Sequence, residues 1–504
     1  MNKTKKFLND AIFYSSSNII SNILNFITGI AVRRLLQPVL MGFFSEIMLI
    51  FEYVRYVQLG FIEALDKELP YFYGRKDVEK IEMIKNTGFS VCLANTTIAC
   101  LIIFIVSFIV RFEDKLLVNG IRIVLIMIIL RLISSLYITL SRSHNNFSII
   151  SKYTILSAFA DLIFKVILTM KFGLYGLLWA SVLTVALGLV YFYYASKVRF
   201  KLIILKLPYA EISRLFKIGF PLFILGFVAM TLQNIDRIMI LRLLDREQLG
   251  YYTIALMVSA YIIQLPNLIY AVIFPRFYQA YGESEDIVAV KGIFMKPIFI
   301  FAYLFPILTG ITILCLPILV EYILPSYKRG VHPAHLLLFG SSFIALLNMP
   351  GYLLTALNKQ IYMVIIAVFA IIFAVVLNYG LVCKLHLGLS GIAVSMSITY
   401  FLYATVLLTY AFRHYTKNLF DLLKFFTQIY FPFIWISICL AALGAFSYKF
   451  SGIILKDLIP VLYKSLAFIV LCIPLILYCN RKTKLLALFK NAYAKNVVTG
   501  GSRL

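Results

Sequence analysis

The feature that most constrains this chain is a succession of apolar runs, each about 20 residues long. A run of that length crosses the ~30 Å hydrocarbon core of a bilayer as a helix. The runs fall near 11–32, 39–62, 86–110, 119–140, 150–170, 174–195, 216–241, 249–274, 295–320, 335–358, 360–383, 388–412, 428–448 and 459–479. They predict an all-α integral membrane protein of about fourteen spans, because a chain in lipid must satisfy its backbone groups internally. With 62% hydrophobic and 14% charged residues, a water-soluble globule and a disordered chain are excluded. The linkers are too short to hold a sizeable soluble domain. The basic start, Met-Asn-Lys-Thr-Lys-Lys, precedes a run interrupted by Ser15, Ser16, Ser17 and Asn18 and lacking a small-residue cleavage site. It is expected to stay as the first span. The seven cysteines are scattered without a Cys-x-x-Cys pair and read as small core hydrophobes. No phosphate-binding Gly-x-x-x-x-Gly-Lys loop occurs, so ATP is not expected to power the chain directly. No metal or cofactor is expected: His332 and His335 lack Cys or carboxylate partners at ligand spacing.

Charge orients the spans. The formal net charge is +25, and alternate linkers differ sharply in basic residues. One side carries 29 of the 47 Lys and Arg residues, including Lys3, Lys5, Lys6, Lys197, Arg199, Lys206 and the tail from Arg481. The other side carries 12, including Arg33, Arg34, Arg111, Arg246 and Lys449. The positive-inside rule then places both termini in the cytoplasm.

The chain also repeats itself. Arg34-Leu35-Leu36, four residues, and Met41-Gly42-Phe43-Phe44-Ser45 match Arg242-Leu243-Leu244, four residues, and Leu249-Gly250-Tyr251-Tyr252-Thr253, at an offset of 208. Pro70-Tyr71-Phe72-Tyr73 matches Pro275-Arg276-Phe277-Tyr278, and a Gly-Leu-x-Gly opens spans six and twelve at Gly173 and Gly388. An even number of spans, six, separates the copies. They therefore share one orientation and are expected to be related by an axis along the membrane normal. The implied organisation is a first six-span lobe over 1–200, a second over 201–415, and two further spans with a basic tail over 416–504. Two bundles facing each other across a cavity form a transporter architecture.

The remaining basic residues lie inside the spans: Arg55, Arg122, Arg131, Lys165, Arg237 and Lys464. Glu46, Glu52, Asp161 and Asp236 join them. Each costs about 2.5–3.5 kcal/mol at the bilayer centre, so they must pair, snorkel or face water. Thr154, Ser157, Asp161 and Lys165 form one helical stripe, with Asp161 and Lys165 as i,i+4 neighbours. Glu52 and Arg55 are i,i+3 neighbours. Ser15, Asn18, Asn22 and Asn25 form a second stripe, and the repeat offset aligns Asn25 with Gln233, next to Asn234, Asp236 and Arg237. Arg122 and Lys464 lie near span ends and are expected to snorkel. The stripes also have plain structural readings, as helix-locking pairs, polar glue or a helix cap. Candidate substrate-binding residues are Arg55, Arg131, Lys165, Arg237, Asn22, Asn25, Gln233 and Asn234. Candidate ion-coupling residues are Glu52, Asp161 and Asp236. Basic groups outnumber acids within the spans, which favours an anionic cargo over a cationic drug. An integral-membrane glycan polymerase or transferase is the competing class. Such enzymes usually present carboxylates or histidines on an extended loop, and here the external loops are short.

At the repeat, and at Gly219-Phe220-Pro221, Ile235-Asp236-Arg237-Ile238-Met239-Ile240, Leu249-Gly250-Tyr251-Tyr252 and Ile273-Phe274-Pro275-Arg276, the sequence resembles the polysaccharide-transport branch of the MOP exporter superfamily. It is most similar to the Wzx-type O-antigen or capsule oligosaccharide flippases. The resemblance implies two six-helix lobes in a V, with two extra helices. It implies a cargo of undecaprenyl-pyrophosphate-linked oligosaccharide, moved from the inner to the outer leaflet of the bacterial inner membrane. Alternating access driven by a proton or cation gradient would move it. The implied partners are that lipid-linked oligosaccharide, membrane lipids, a polysaccharide polymerase and a chain-length regulator, with no nucleic acid. The superfamily also contains lipid II flippases and multidrug exporters, which stand as the alternative.

Overall fold

The computed structural model describes residues 3–110, 114–196, 200–202, 208–445 and 450–483. Arg111, Lys197, Arg199, Lys206, Lys449 and the tail beyond residue 483 lie outside the described residues, as do the side chains of Lys3, Lys5 and Lys6. The described residues are helical, without strands. In chain order the helices are α1 (Lys3–Val54), α2 (Phe61–Arg75), α3 (Val78–Ile109), α4 (Lys115–Ser143), α5 (Phe147–Ala195), α6 (Tyr209–Leu243) and α7 (Arg246–Ser284). They continue as α8 (Lys291–Ile323), α9 (Val331–Ile344), α10 (Asn348–Ala356), α11 (Gln360–Tyr379), α12 (Gly388–Phe412), α13 (Leu419–Ala442) and α14 (Ile454–Thr483).

Among the described residues, twelve stretches are long and apolar enough to cross a membrane. Two of them are double. The 52 residues of α1 would reach about 78 Å at 1.5 Å per residue, far more than a bilayer core. The helix is broken at Gln37, with φ 59° and ψ 175°, just before Pro38. In the same way, α5 runs for 49 residues and breaks at Gly173. Each therefore holds two of the sequence's spans, and the fourteen runs are all accounted for.

The contacts divide the chain into two compact units, Met1–Thr253 and Ile254–Leu504. The boundary falls inside α7, so α6 and the first two turns of α7 belong to the first unit. There α1 packs against α5, and α4 also packs on α5. The segment after span two, read from sequence as a linker, is the helix α2. Its apolar residues Phe61, Ala64, Leu65 and Leu69 fall on one face and are buried against Ile81, Ile84 and Cys92 of α3, Leu132, Leu136 and Leu140 of α4, and Leu215 of α6. Leu65 and Leu69 are fully buried, and each such burial contributes about 1.5–3 kcal/mol. Lys76 closes α2 in the left-handed conformation, and the Asp77 carboxylate caps α3 by accepting from the Lys80 backbone N–H at 3.0 Å.

The repeat has a structural counterpart in this unit. A Cβ on Gly42 would lie 2.0 Å from the Arg246 carbonyl oxygen, and one on Gly250 would lie 1.9 Å from that of Pro38. Arg246 and Gly250 are the residues 208 positions beyond Pro38 and Gly42. The two copies thus touch through the same surface, each glycine admitting the other copy's backbone. A twofold relation between parallel repeats produces such a reciprocal contact.

In the second unit α8 is central. Phe294, Ile298, Ala302, Ile313 and Val320 along it are fully buried, and it packs against α9, α13 and α14. Helix α11 shows how a lipid-facing span is built. Ile361, Ile365, Phe369, Ile372 and Val376 are exposed, whereas the small residues Ala367, Ala370 and Ala374 face the protein.

Candidate functional site

The polar groups of the first unit converge where α1 ends. Beyond Val54 the chain tightens into a 3-10 turn, Arg55–Gln58, then passes through Leu59 and Gly60, both at positive φ, into α2. The turn is held against α6 by aromatic packing. Phe216, Phe220, Phe223 and Phe227 stack in sequence along α6, with ring centroids 4.8–5.6 Å apart. Tyr53 and Tyr56 lean edge-on against Phe227 at 5.9 and 5.7 Å, and the Tyr56 hydroxyl donates to the Gly226 carbonyl at 3.3 Å. Gly60 and Gly219 cross so closely that a Cβ on either would strike the other's carbonyl oxygen, at 2.3 and 2.0 Å.

Two cavities meet at this turn and share Arg55 and Tyr56. The larger, about 420 Å³, lies between the turn and one face of α6, with Glu52, Gly226, Ala229, Met230, Gln233, Asn234 and Arg237 completing its wall. The smaller, about 240 Å³, lies toward α3 and α4. It is lined by Gln58, Glu63, Thr96, Arg131 and Ser135 among apolar neighbours.

The arginines are only partly neutralised. Arg55 pairs with Glu52 at 3.3 Å, as the i,i+3 spacing predicts, but half of its side chain stays exposed. Arg131 donates to the Tyr153 hydroxyl at 3.4 Å and has no carboxylate within ion-pair distance among the described residues. Arg237 likewise has no carboxylate at that distance, and its buried Nε has no hydrogen-bond partner. Asp236, its neighbour in sequence, is buried, accepts from the Arg237 backbone N–H at 2.8 Å and sits beside Tyr252. Asp236 is not among the residues that line the cavity. Asn234 is buried and donates to the Met230 carbonyl at 2.9 Å, whereas Gln233 is exposed to the cavity.

Other sequence candidates lie elsewhere. Lys165 and Asp161 pair with each other at 3.0 Å and line neither cavity. Asn25 donates to Ser21 on its own helix at 3.2 Å, and Asn22, half-buried on the same stretch, also lines neither cavity. Arg122 lies over the Phe108 ring at 3.8 Å and donates to Ser107. Lys464 donates to the Gly444 carbonyl at 3.0 Å, just past the end of α13. Glu46 pairs with Arg246 at 2.5 Å, and Arg246 also binds Asp114.

Glu63, Gln58, Thr96 and Tyr153 escaped the sequence reading. Glu63 stands in the first turn of α2, whose amphipathic spacing was the one signal that could have found it. The Gln58 side-chain amide donates to both Glu63 oxygens, at 3.1 and 3.3 Å, and its Oε1 accepts from the Ile62 backbone N–H at 2.9 Å. Burial pushes the Glu63 carboxyl above its ordinary value, against the opposing influence of its hydrogen bonds. Among the described residues no group of three or more His, Cys, Asp or Glu is placed to hold a metal ion.

Solved structures share this fold. The lipid II flippase MurJ in an inward closed conformation matches with a TM-score of 0.68 at 16% identity, covering 94% of this chain and 99% of its own. An inward-facing multidrug resistance MATE family transporter of the MOP superfamily matches at 0.59 and 15% identity, covering 87% and 100%. A MOP superfamily transporter from Pyrococcus furiosus, described as having a binding pocket of reversed polarity, matches at 0.55 and 14%, covering 81% and 95%. These neighbours are transporters and a flippase, not enzymes. No curated protein sequence matches the chain. A family model described as "Polysaccharide biosynthesis protein" matches residues 31–327, more than half of the chain. The chain therefore belongs to the polysaccharide biosynthesis protein family.

Proposed function

We propose that this protein is a flippase that carries an undecaprenyl-pyrophosphate-linked oligosaccharide, an O-antigen or capsule repeat unit, from the inner to the outer leaflet of the bacterial inner membrane. The observation that carries this reading is the pair of cavities joined at Arg55. Three arginines from different segments, Arg55, Arg131 and Arg237, line them, and only Glu52 is within ion-pair distance of any of the three among the described residues. A guanidinium binds phosphate oxygens through two parallel N–H donors. Gln233, Thr96, Ser135 and Tyr56 suit the hydroxyls of a sugar. A cationic drug would meet repulsion in such a site. The family match to polysaccharide biosynthesis supports the glycan part of the cargo.

Transport would follow alternating access between the two repeat lobes, 1–200 and 201–415, coupled to a proton or cation gradient, with both termini cytoplasmic. Lipid II is the second reading. It offers the same diphosphate, and the likeness to MurJ supports it. Deleting the gene and restoring it separates the two. The leading reading expects loss of surface polysaccharide with unimpaired growth, regained on restoration. Lysis with intact surface glycan would overturn it in favour of lipid II, and drug sensitivity alone would favour a multidrug exporter.

A further inference from the structure

The smaller cavity contains a carboxyl with no part in anion binding. Glu63 faces the same space as Arg55 and Arg131, and its hydrogen-bond donor is the neutral amide of Gln58. It stands directly beyond the left-handed pair Leu59 and Gly60, where α2 is joined to the Arg55 turn. Every packed element bears on its charge. Asp66 on α2 repels it, and Arg55 on the 3-10 turn attracts it. Arg131 from α4 lines the same cavity, and Cys92 approaches from α3. The approach from α6 is made by Gly219 and Phe223, at Gly60. On α6, Glu211 and Arg214 are occupied with Lys80 and Glu68, and Lys217 is exposed. Beside the hydrogen bonds, the cation that favours the anionic form of Glu63 is Arg55, and Arg131 lines the same cavity.

We infer that Glu63 is a proton-binding group linked to the anion site: an anion seated on Arg55 and Arg131 is held together with a proton on Glu63. The inference rests on the anion reading of this cavity. With the cavity empty, Arg55 favours the Glu63 carboxylate, and Arg131 lines the same space. An arriving anion takes over their charge and adds its own, so the carboxylate loses its counter-charge and gains a repulsive neighbour. It then takes a proton from solvent, and the neutral carboxyl keeps its place by the Gln58 amide. When the anion leaves, the proton is released. The Gln58–Glu63 clamp spans the left-handed hinge, so the protonation state is sensed where α2 begins.

The test uses the full-length protein in lipid nanodiscs, with inorganic sulfate as probe, whose charge is constant over the range used. Affinity is measured by calorimetry between about pH 5.5 and 8, in buffers of different ionisation enthalpy. For the wild type, affinity should rise by up to about tenfold per unit fall in pH, with up to one proton taken up per anion bound. Glu63→Gln should bind sulfate with a flat pH dependence and no proton uptake. Glu63→Asp should keep the linkage and move it to lower pH, since an aspartyl carboxyl is intrinsically more acidic. Sulfate binding that Arg55→Ala removes, but whose pH slope survives Glu63→Gln, overturns this inference and leaves the anion site standing. No sulfate binding sensitive to Arg55→Ala or Arg131→Ala overturns the anion site and this inference with it.

Discussion

Two polar features inside the spans look alike in sequence and differ in the folded chain. One is the stripe on α5, where Lys165 and Asp161 face each other at 3.0 Å, each a little under a quarter exposed. The other is the wall around Arg55, where, among the described residues, three arginines have one carboxylate within pairing distance. In the first, cost and compensation are local to one helix, and nothing further is needed to hold the charges in the membrane. In the second, charge from separate segments is gathered around open space. An intramembrane charge therefore says little about function by itself. A positive charge that several elements leave uncompensated around a cavity says much more.

That contrast can be broken. The largest expected effect is from Arg55→Ala, Arg131→Ala or Arg237→Ala, each abolishing surface polysaccharide in a deletion strain while membrane levels of the protein stay normal. The double change Lys165→Met with Asp161→Asn should leave export intact; the opposite pattern would move the functional charge to α5. Next comes the double-mutant cycle on α5 itself, read by thermal unfolding in detergent. Lys165→Met alone should destabilise by about 2 kcal/mol, because it strands Asp161, and adding Asp161→Asn should restore most of that loss. Equal losses for single and double variants would show that the pair is not self-contained. A finer probe is Arg237→Lys, which keeps the charge and loses the planar fork. Export should fall about tenfold if two parallel N–H donors grip the cargo, and hardly at all if only charge matters.

The smallest effect concerns pH and stability. Burial raises the Glu63 carboxyl in the folded chain, so folding favours its protonated form. The stability it contributes is complete below the unfolded value and is lost as pH rises through the folded one. Unfolding temperatures of the wild type should therefore decline more steeply with rising pH than those of Glu63→Gln. Parallel profiles would show that Glu63 is already well solvated.

Much of the architecture was legible because its determinants are local. Apolar run length marked all fourteen spans, and spacing alone paired Glu52 with Arg55 and Asp161 with Lys165. The helix α2 was hidden for a physical reason. Its buried face, Phe61, Ala64, Leu65 and Leu69, spans only nine residues, and Glu63, Asp66, Lys67 and Glu68 between them make the segment read as a polar linker. Its stability comes from α3, α4 and α6, which sequence periodicity does not report. Glu63 was missed with it. Arg246 counted only as external loop charge, yet it joins Glu46 to Asp114, a contact that needs three distant segments. Arg55, Arg131, Gln233, Asn234 and Arg237 were each conspicuous alone, but their convergence depends on how α6 leans on the 3-10 turn.

The reciprocal crossing of Gly42 and Gly250 has an evolutionary consequence. If the two repeats descend from a half-length chain that paired with itself, one ancestral glycine once served both contacts, and any mutation there struck the interface twice. Gene fusion would then have uncoupled the two positions. Each glycine would have become free to be lost, compensated or refined on its own, so one half could specialise while the other kept the founding geometry. The uneven distribution of cavity charge between the two copies is the kind of divergence that such a release permits.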